Sequence, residues 1–132
     1  IHRTTAYQFK NTEHAANLFG LKEFGNIYSR LGNPTVAILE NRLAALEGGA
    51  AALCLSSGTS AVMYSIINIC KQGDNIVTST QLYGGTYTMF SNILPDFGIT
   101  AKKIDLTDLD LLESSIDSKT KAIFCETITN PG

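Results

Sequence analysis

The chain has no tryptophan, and of its 132 residues only three are proline, three cysteine and two histidine. Cys54, Cys70 and Cys125 are odd in number, far apart and set among apolar neighbours, which argues against a disulfide framework and for buried thiols in a reducing cytoplasm. Long hydrophobic runs are also missing: Ser, Asn, Lys or Gly breaks every apolar stretch before it reaches the length of a membrane span. A formal net charge of -2 leaves no basic footprint for nucleic acid or an anionic membrane. The opening segment IHRTTAYQFK has neither the apolar core nor the cleavage site of a signal peptide. It starts at Ile1 rather than Met, so the natural N-terminus is expected upstream. There is no low-complexity tract and no internal repeat. What is present, 44% hydrophobic and 17% charged residues, suits a soluble globular domain with a real core.

Punctuation along the chain marks its elements. A short helix is expected near Thr12 to Phe19. GNPT at Gly32 to Thr35 opens a second one: Asn33 can cap it, Pro34 suits the first helical position, and the glycines after Glu47 stop it. Val36, Leu39, Leu43 and Leu46 recur at three- and four-residue spacing, giving this helix one apolar face. An alternation follows. Strands are expected at Ala50 to Leu55, Asn75 to Ser79, Ile99 to Ile104 and Lys121 to Glu126, with helices at Ser60 to Gly73, Thr86 to Leu94 and Asp108 to Ile116 between them. That order predicts an α/β fold, a mostly parallel sheet with helices on both faces and right-handed connections. The chain ends directly after the fourth strand, so the fold is expected to be incomplete here.

In such sheets ligands bind beyond the carboxyl ends of the strands, and the unusual residues fall there. SSGTS (Ser56 to Ser60) follows the first strand. Gly58 lets the backbone approach a bound group, and the helix behind it presents unpaired N–H groups and a positive dipole end. The alternative is that Ser57 or Thr59 only caps the helix. Neither a Walker loop nor a G-x-G-x-x-G fingerprint is present. LYGGT offers Tyr83 beside two glycines, a ring that can stack on an aromatic ligand or simply pack. ETITNPG sets Glu126 and Asn130 four residues apart, with Asn130 restricted by the proline after it; Asn-Pro is equally an ordinary turn. DLTDLD after the third strand reads as a helix start. Finally, Tyr28 and Arg30, two residues apart in a glycine-flanked loop, can together meet phosphate oxygens; each alone would pass as surface.

GNIYSRLGNPT, SSGTSA, LYGGTY and ETITNP, in this order and spacing, resemble the Cys/Met-metabolism family of pyridoxal 5'-phosphate enzymes over essentially the whole chain. Within that family the first and third motifs are most similar to O-acetylhomoserine sulfhydrylases. The resemblance implies the large domain of a fold-type I pyridoxal-phosphate transferase, a three-layer α/β/α fold like that of aspartate aminotransferase, with residues 1–33 as an arm and inter-subunit loop and 34–132 as the first part of the cofactor domain. It implies that Ser57, Gly58 and Thr59 bind the cofactor, the last two holding its phosphate through their N–H groups. Tyr83 would stack on the pyridine ring near the departing group, Asn130 would bond the ring's phenolic oxygen, and Glu126 would support the same wall. Tyr28 and Arg30 would reach the phosphate bound by a neighbouring subunit of a cytoplasmic homotetramer, a dimer of dimers.

The implied activity is γ-replacement in methionine biosynthesis: O-acetylhomoserine and sulfide, or a thiol, give homocysteine, or methionine, and acetate. Methionine γ-lyase, cystathionine γ-lyase and cystathionine γ-synthase activities are the alternatives; the lyase prefers cysteine where this chain has Gly85. The family also needs a Schiff-base lysine in a Ser-x-Thr-Lys-like setting and an aspartate for the pyridinium nitrogen. None of Lys10, Lys22, Lys71, Lys102, Lys103, Lys119 and Lys121 has that context, and the last five read as solvated charges. Both missing groups are expected beyond Gly132, and the chain by itself is expected to be inactive.

Overall fold

The computed structural model describes residues 1–129, which fall into two compact units, Ile1–Cys54 and a second that begins at Leu55. In the first, Asn11 caps helix α1 (Thr12–Phe19) by accepting from the His14 N–H at 2.8 Å. Asn33 does the same for α2 (Pro34–Glu47), accepting from Thr35 N–H at 2.9 Å, with Pro34 in the first turn as the sequence suggests. Gly48 ends α2 in the left-handed region (φ 64°) and returns its N–H to the Ala44 carbonyl, a conformation glycine adopts without steric cost. No residue of α2 is buried, so its apolar face, Leu39 and Leu46 included, lies open to solvent in this chain.

The second unit is built on a three-stranded sheet in the order β2-β1-β3: β1 is Asn75–Ser79, β2 Thr100–Ile104 and β3 Thr120–Phe124. All pairing is parallel, with Ile76 beside Ala101 and Ala122, and Thr78 beside Lys103 and Phe124. Crossover helices supply the layers: α3 (Gly58–Ile69) precedes β1, α4 (Gly84–Thr88) follows it, and α5 (Leu109–Ser115) joins β2 to β3. The core gathers Ile66 and Cys70 from the α3 end, Ile76 from β1, Leu82, Met89, Phe90 and Leu94 from the β1–β2 crossover, and Ile99. Phe90 meets Phe124 edge-on at 5.1 Å between ring centroids, a favoured aromatic geometry. The Thr78 hydroxyl is buried there without a hydrogen-bond partner among the described residues.

Two expectations fail for physical reasons. Ala50 to Leu55 is not a strand: among the described residues no strand lies beside it to complete a ladder, and Leu53 is 76% exposed. The Cys54 N–H takes a side-chain acceptor instead, Glu40 Oε1 at 2.9 Å. The helix expected over Thr86 to Leu94 starts two residues earlier and changes pitch, passing through a π turn (Met89–Ile93) into a 3-10 turn (Leu94–Phe97). In the π turn the Leu94 N–H reaches back five residues to Met89, and Pro95, next in the chain, has no N–H with which to continue α-helical bonding. The lysines are less free than their sequence suggests. Lys103 Nζ lies 4.8 Å from the Tyr87 ring centre, and Lys121 pairs with Asp74 at 3.7 Å.

Opposite the carboxyl ends of the strands, Asp117 ties the sheet together. It accepts from Lys102 Nζ at 2.7 Å, from Asn75 Nδ2 at 3.0 and 3.2 Å, and from the Lys119 N–H at 2.8 Å. The Lys102 bond first, then those of Asn75 and Lys119, hold its carboxyl well below the usual carboxylate range. A carboxyl depressed on folding contributes stability that is complete above its unfolded pKa of about 4 and is lost as pH falls through the folded value. Asp117→Asn is therefore expected to lower the unfolding temperature at pH 7, with the gap from the parent narrowing below about pH 4. Thermal scans at both pH values check this, and a gap that widens in acid would contradict it.

Candidate functional site

Because β1, β2 and β3 run parallel, their carboxyl ends open on one rim. The rim holds a cavity of about 490 Å³ whose wall includes Ser79 and Thr80 after β1, Asp105 and Thr107 after β2, and Cys125 and Glu126 after β3. Asp105 caps its own turn by accepting from the Thr107 N–H at 2.9 Å and hydroxyl at 2.7 Å, and these bonds lower its pKa. Asp108 caps α5 as the sequence suggests, accepting from the Leu111 N–H at 2.9 Å. Asp105 was not among the residues expected in the site; DLTDLD carries enough turn signal to explain both aspartates without a cavity. The expectation of three buried thiols holds for Cys70 alone: Cys54, in a segment that pairs with no strand among the described residues, is half-buried, and Cys125, just past the end of β3, is exposed.

At the start of α3, Ser57 is the cap, in extended conformation, its Oγ accepting from the Ser60 N–H at 3.1 Å and lying 2.9 Å from the Ser60 hydroxyl. The Ser57 carbonyl takes the Ala61 N–H. Two first-turn donors remain, the N–H groups of Gly58 and Thr59, with no acceptor among the described residues. A methyl group built on Gly58 would meet no atom within 4 Å, so an anion can approach that amide closely. The capping and anion-seat readings of SSGTS are thus compatible: Ser57 caps, and the next two amides stay available.

Tyr83 stands at the entry to α4 and is 51% exposed. Its N–H donates to both oxygens of Glu126, at 2.9 and 3.1 Å. The end of β3 and the segment after β1 are therefore joined through a carboxylate and a backbone amide, a link that residues 43 positions apart could not announce in sequence. Asn130 lies outside the described residues.

In the first unit, Tyr28 forms an isolated antiparallel bridge with Ala6 and then a turn, its carbonyl accepting from the Leu31 and Gly32 N–H groups at 2.8 and 3.0 Å. Ser29 is fastened to Thr4 and Tyr7, the latter at 3.1 Å between hydroxyls. The Arg30 guanidinium carbon lies 4.9 Å from the Tyr28 ring centre, so this turned segment brings the two side chains together. They edge an apolar cleft of about 340 Å³ with Phe9 and Phe19.

The profile of the Cys/Met metabolism PLP-dependent enzyme family matches residues 1–132. O-acetyl-L-homoserine sulfhydrylase of Leptospira meyeri is 50% identical over 131 residues, 99% of this chain and 30% of that protein. Homocysteine synthase of Schizosaccharomyces pombe is likewise 50% identical over 99% of the chain and 30% of its own length. A Campylobacter jejuni crystal structure named for O-acetylhomoserine (thiol)-lyase, carrying N'-pyridoxyl-lysine-5'-monophosphate, matches with a TM-score of 0.92 and 50% identity over 99% of this chain and 32% of that one. Cystathionine gamma-lyase of Lactobacillus plantarum, complexed with L-serine, gives 0.85 and 33% identity over the same shares. The chain thus spans about 30% of the length of the curated relatives it matches.

Replacing glycine by alanine where the backbone permits it stabilises a protein by about 0.4–1 kcal/mol. Gly58→Ala is expected to raise stability by that order while weakening anion binding at the α3 start. Thermal scans with and without inorganic phosphate check this; an unchanged phosphate-induced shift would contradict it.

Proposed function

Since the chain belongs to the Cys/Met metabolism family of PLP-dependent enzymes, we propose that the full-length protein is an O-acetylhomoserine sulfhydrylase-like transferase of methionine biosynthesis. O-acetylhomoserine and hydrosulfide would give homocysteine and acetate, the γ-carbon losing its bond to the acetate oxygen and gaining one to sulfur; a thiol such as methanethiol would give methionine. The observation that carries this reading is the higher identity with sulfhydrylases and a homocysteine synthase than with the cystathionine gamma-lyase. Gly85, where the family resemblance gives methionine γ-lyase a cysteine, favours replacement over that elimination.

Two turns of the second unit, at the starts of α3 and α4, suit the cofactor. Two amides with no acceptor among the described residues, at the start of a twelve-residue helix and one of them on a residue without a side chain, fit a phosphate ester, and the exposed Tyr83 fits an aromatic heterocycle. Pyridoxal phosphate, when bound, supplies the electron sink that makes the substrate's Cα and Cβ protons removable. In this reading Gly58 and Thr59 hold the phosphate by N–H bonds assisted by the helix dipole, and Ser57 keeps that turn in shape. Tyr83 packs on the ring and excludes water from the face where the acetate leaves. Asn130 is proposed to bond the ring's phenolic oxygen, as the family resemblance implies. Tyr28 and Arg30 are proposed to complete the phosphate site of a neighbouring subunit in a cytoplasmic homotetramer. The cofactor-bonding lysine would come from outside this chain, whose own product in isolation would be catalytically silent.

The full-length protein is expected to be yellow and to lose its colour on borohydride treatment. With O-acetylhomoserine and sulfide it should release homocysteine; ammonia and 2-oxobutyrate as main products would instead identify a γ-eliminating lyase. Arg30→Ala should weaken cofactor retention. Mixed with a variant lacking the cofactor-bonding lysine, it should regain part of the activity if the loop crosses between subunits, and no regain would place the whole site within one subunit.

A further inference from the structure

Tyr83 is held from two sides, at its backbone amide by Glu126 and at its ring by Gly85. Its backbone N–H donates to both oxygens of Glu126 at 2.9 and 3.1 Å, and its own side chain makes no capping bond at the start of α4. Bonds to an ionised carboxylate are shorter and stronger than those to a neutral acceptor, and a negative charge at the start of a helical turn is further favoured. On the other side the ring lies against Gly85. A methyl group there would stand 2.6 Å from ring atom Cε1, 3.3 Å from Cδ1 and 3.4 Å from Cζ, so any larger residue must push the ring aside. Glu126 itself leaves the sheet just past β3, where its place is fixed by the parallel pairing of β1 with β3.

We propose that Glu126 is a positioning residue that sets the angle of the Tyr83 ring through the Tyr83 amide, with Gly85 as the seat the ring rests on. This inference rests on the proposed role of Tyr83 against a bound cofactor. It differs from a wall contact in one respect: the effect of Glu126 passes through Tyr83 alone. Misplacement of a stacking group by about 1 Å can cost up to roughly a hundredfold in rate.

The test uses the full-length protein. Glu126→Ala is expected to lower kcat/KM by about tenfold or more, mainly through kcat, and to reduce the circular dichroism induced in the cofactor's absorption band. Glu126→Gln keeps an oxygen that accepts the amide proton and should stay close to the parent. In a Tyr83→Ala background the same Glu126→Ala change should add no further loss. Hydrogen exchange followed in the absence of cofactor should find the Tyr83 amide slow in the parent and in Glu126→Gln, and fast in Glu126→Ala. Equal exchange in all three, or losses that multiply in the double variant, would overturn the proposal. A parent that is colourless and insensitive to borohydride would instead overturn the proposed function, and the link between Glu126 and Tyr83 would be decided by the exchange result.

Discussion

Parallel pairing of β1 with β2 and β3 is the constraint from which the rim follows. In a parallel sheet every strand delivers its chain to the same edge, and each crossover must return across a face before the next strand starts. The segments after the three strands are thereby collected at one crevice although they are separated by twenty or more residues. Those segments are the polar ones: Ser79 and Thr80, Asp105 and Thr107, Cys125 and Glu126. Ile76 and Val77 at the centre of β1 are fully buried, so the strand that carries the Tyr83 segment is also the one least free to move. Apolar burial fixes the scaffold, and the scaffold places chemistry that has little to do with burial.

Hydrogen-bond supply at the starts of α3 and α4 then decides what each turn can hold. Ser57 uses its side chain to satisfy the third amide of α3, and the first two have no acceptor among the described residues. Glu126 spends its carboxylate on the Tyr83 amide, where a carboxylate facing the α3 start would repel an anion. An electropositive turn and an exposed phenol ring on the same unit suit a phosphorylated aromatic ligand, which is the chemistry the family membership brings.

Much of this could be read from the sequence. The bounds of α1, α2 and β1 follow from Asn11, Asn33, Pro34, Gly48 and the run NIVTS, because caps and short apolar strands are local signals. SSGTS and LYGGT mark where α3 and α4 start, because glycine and a serine cap are local signals too. Other features were illegible for equally physical reasons. Ala50 to Leu55 has a strand's composition, but a strand is a relation between two segments, and no neighbour lies beside it among the described residues. Lys102 reads as a solvated charge until the fold sets Asp117 2.7 Å from it. The contact of Glu126 with an amide 43 residues away, and the place of Asp105 on the cavity wall, depend on strand order, which periodicity does not encode.

The central claim is that the amides of Gly58 and Thr59 are the phosphate grip of this protein. A crystal structure of the full-length, cofactor-loaded protein tests it most directly. The account predicts phosphate oxygens about 2.7–3.2 Å from both amide nitrogens, the ordinary N–H···O range. A phosphate bound elsewhere, with those two amides facing solvent or hydrocarbon, would contradict it.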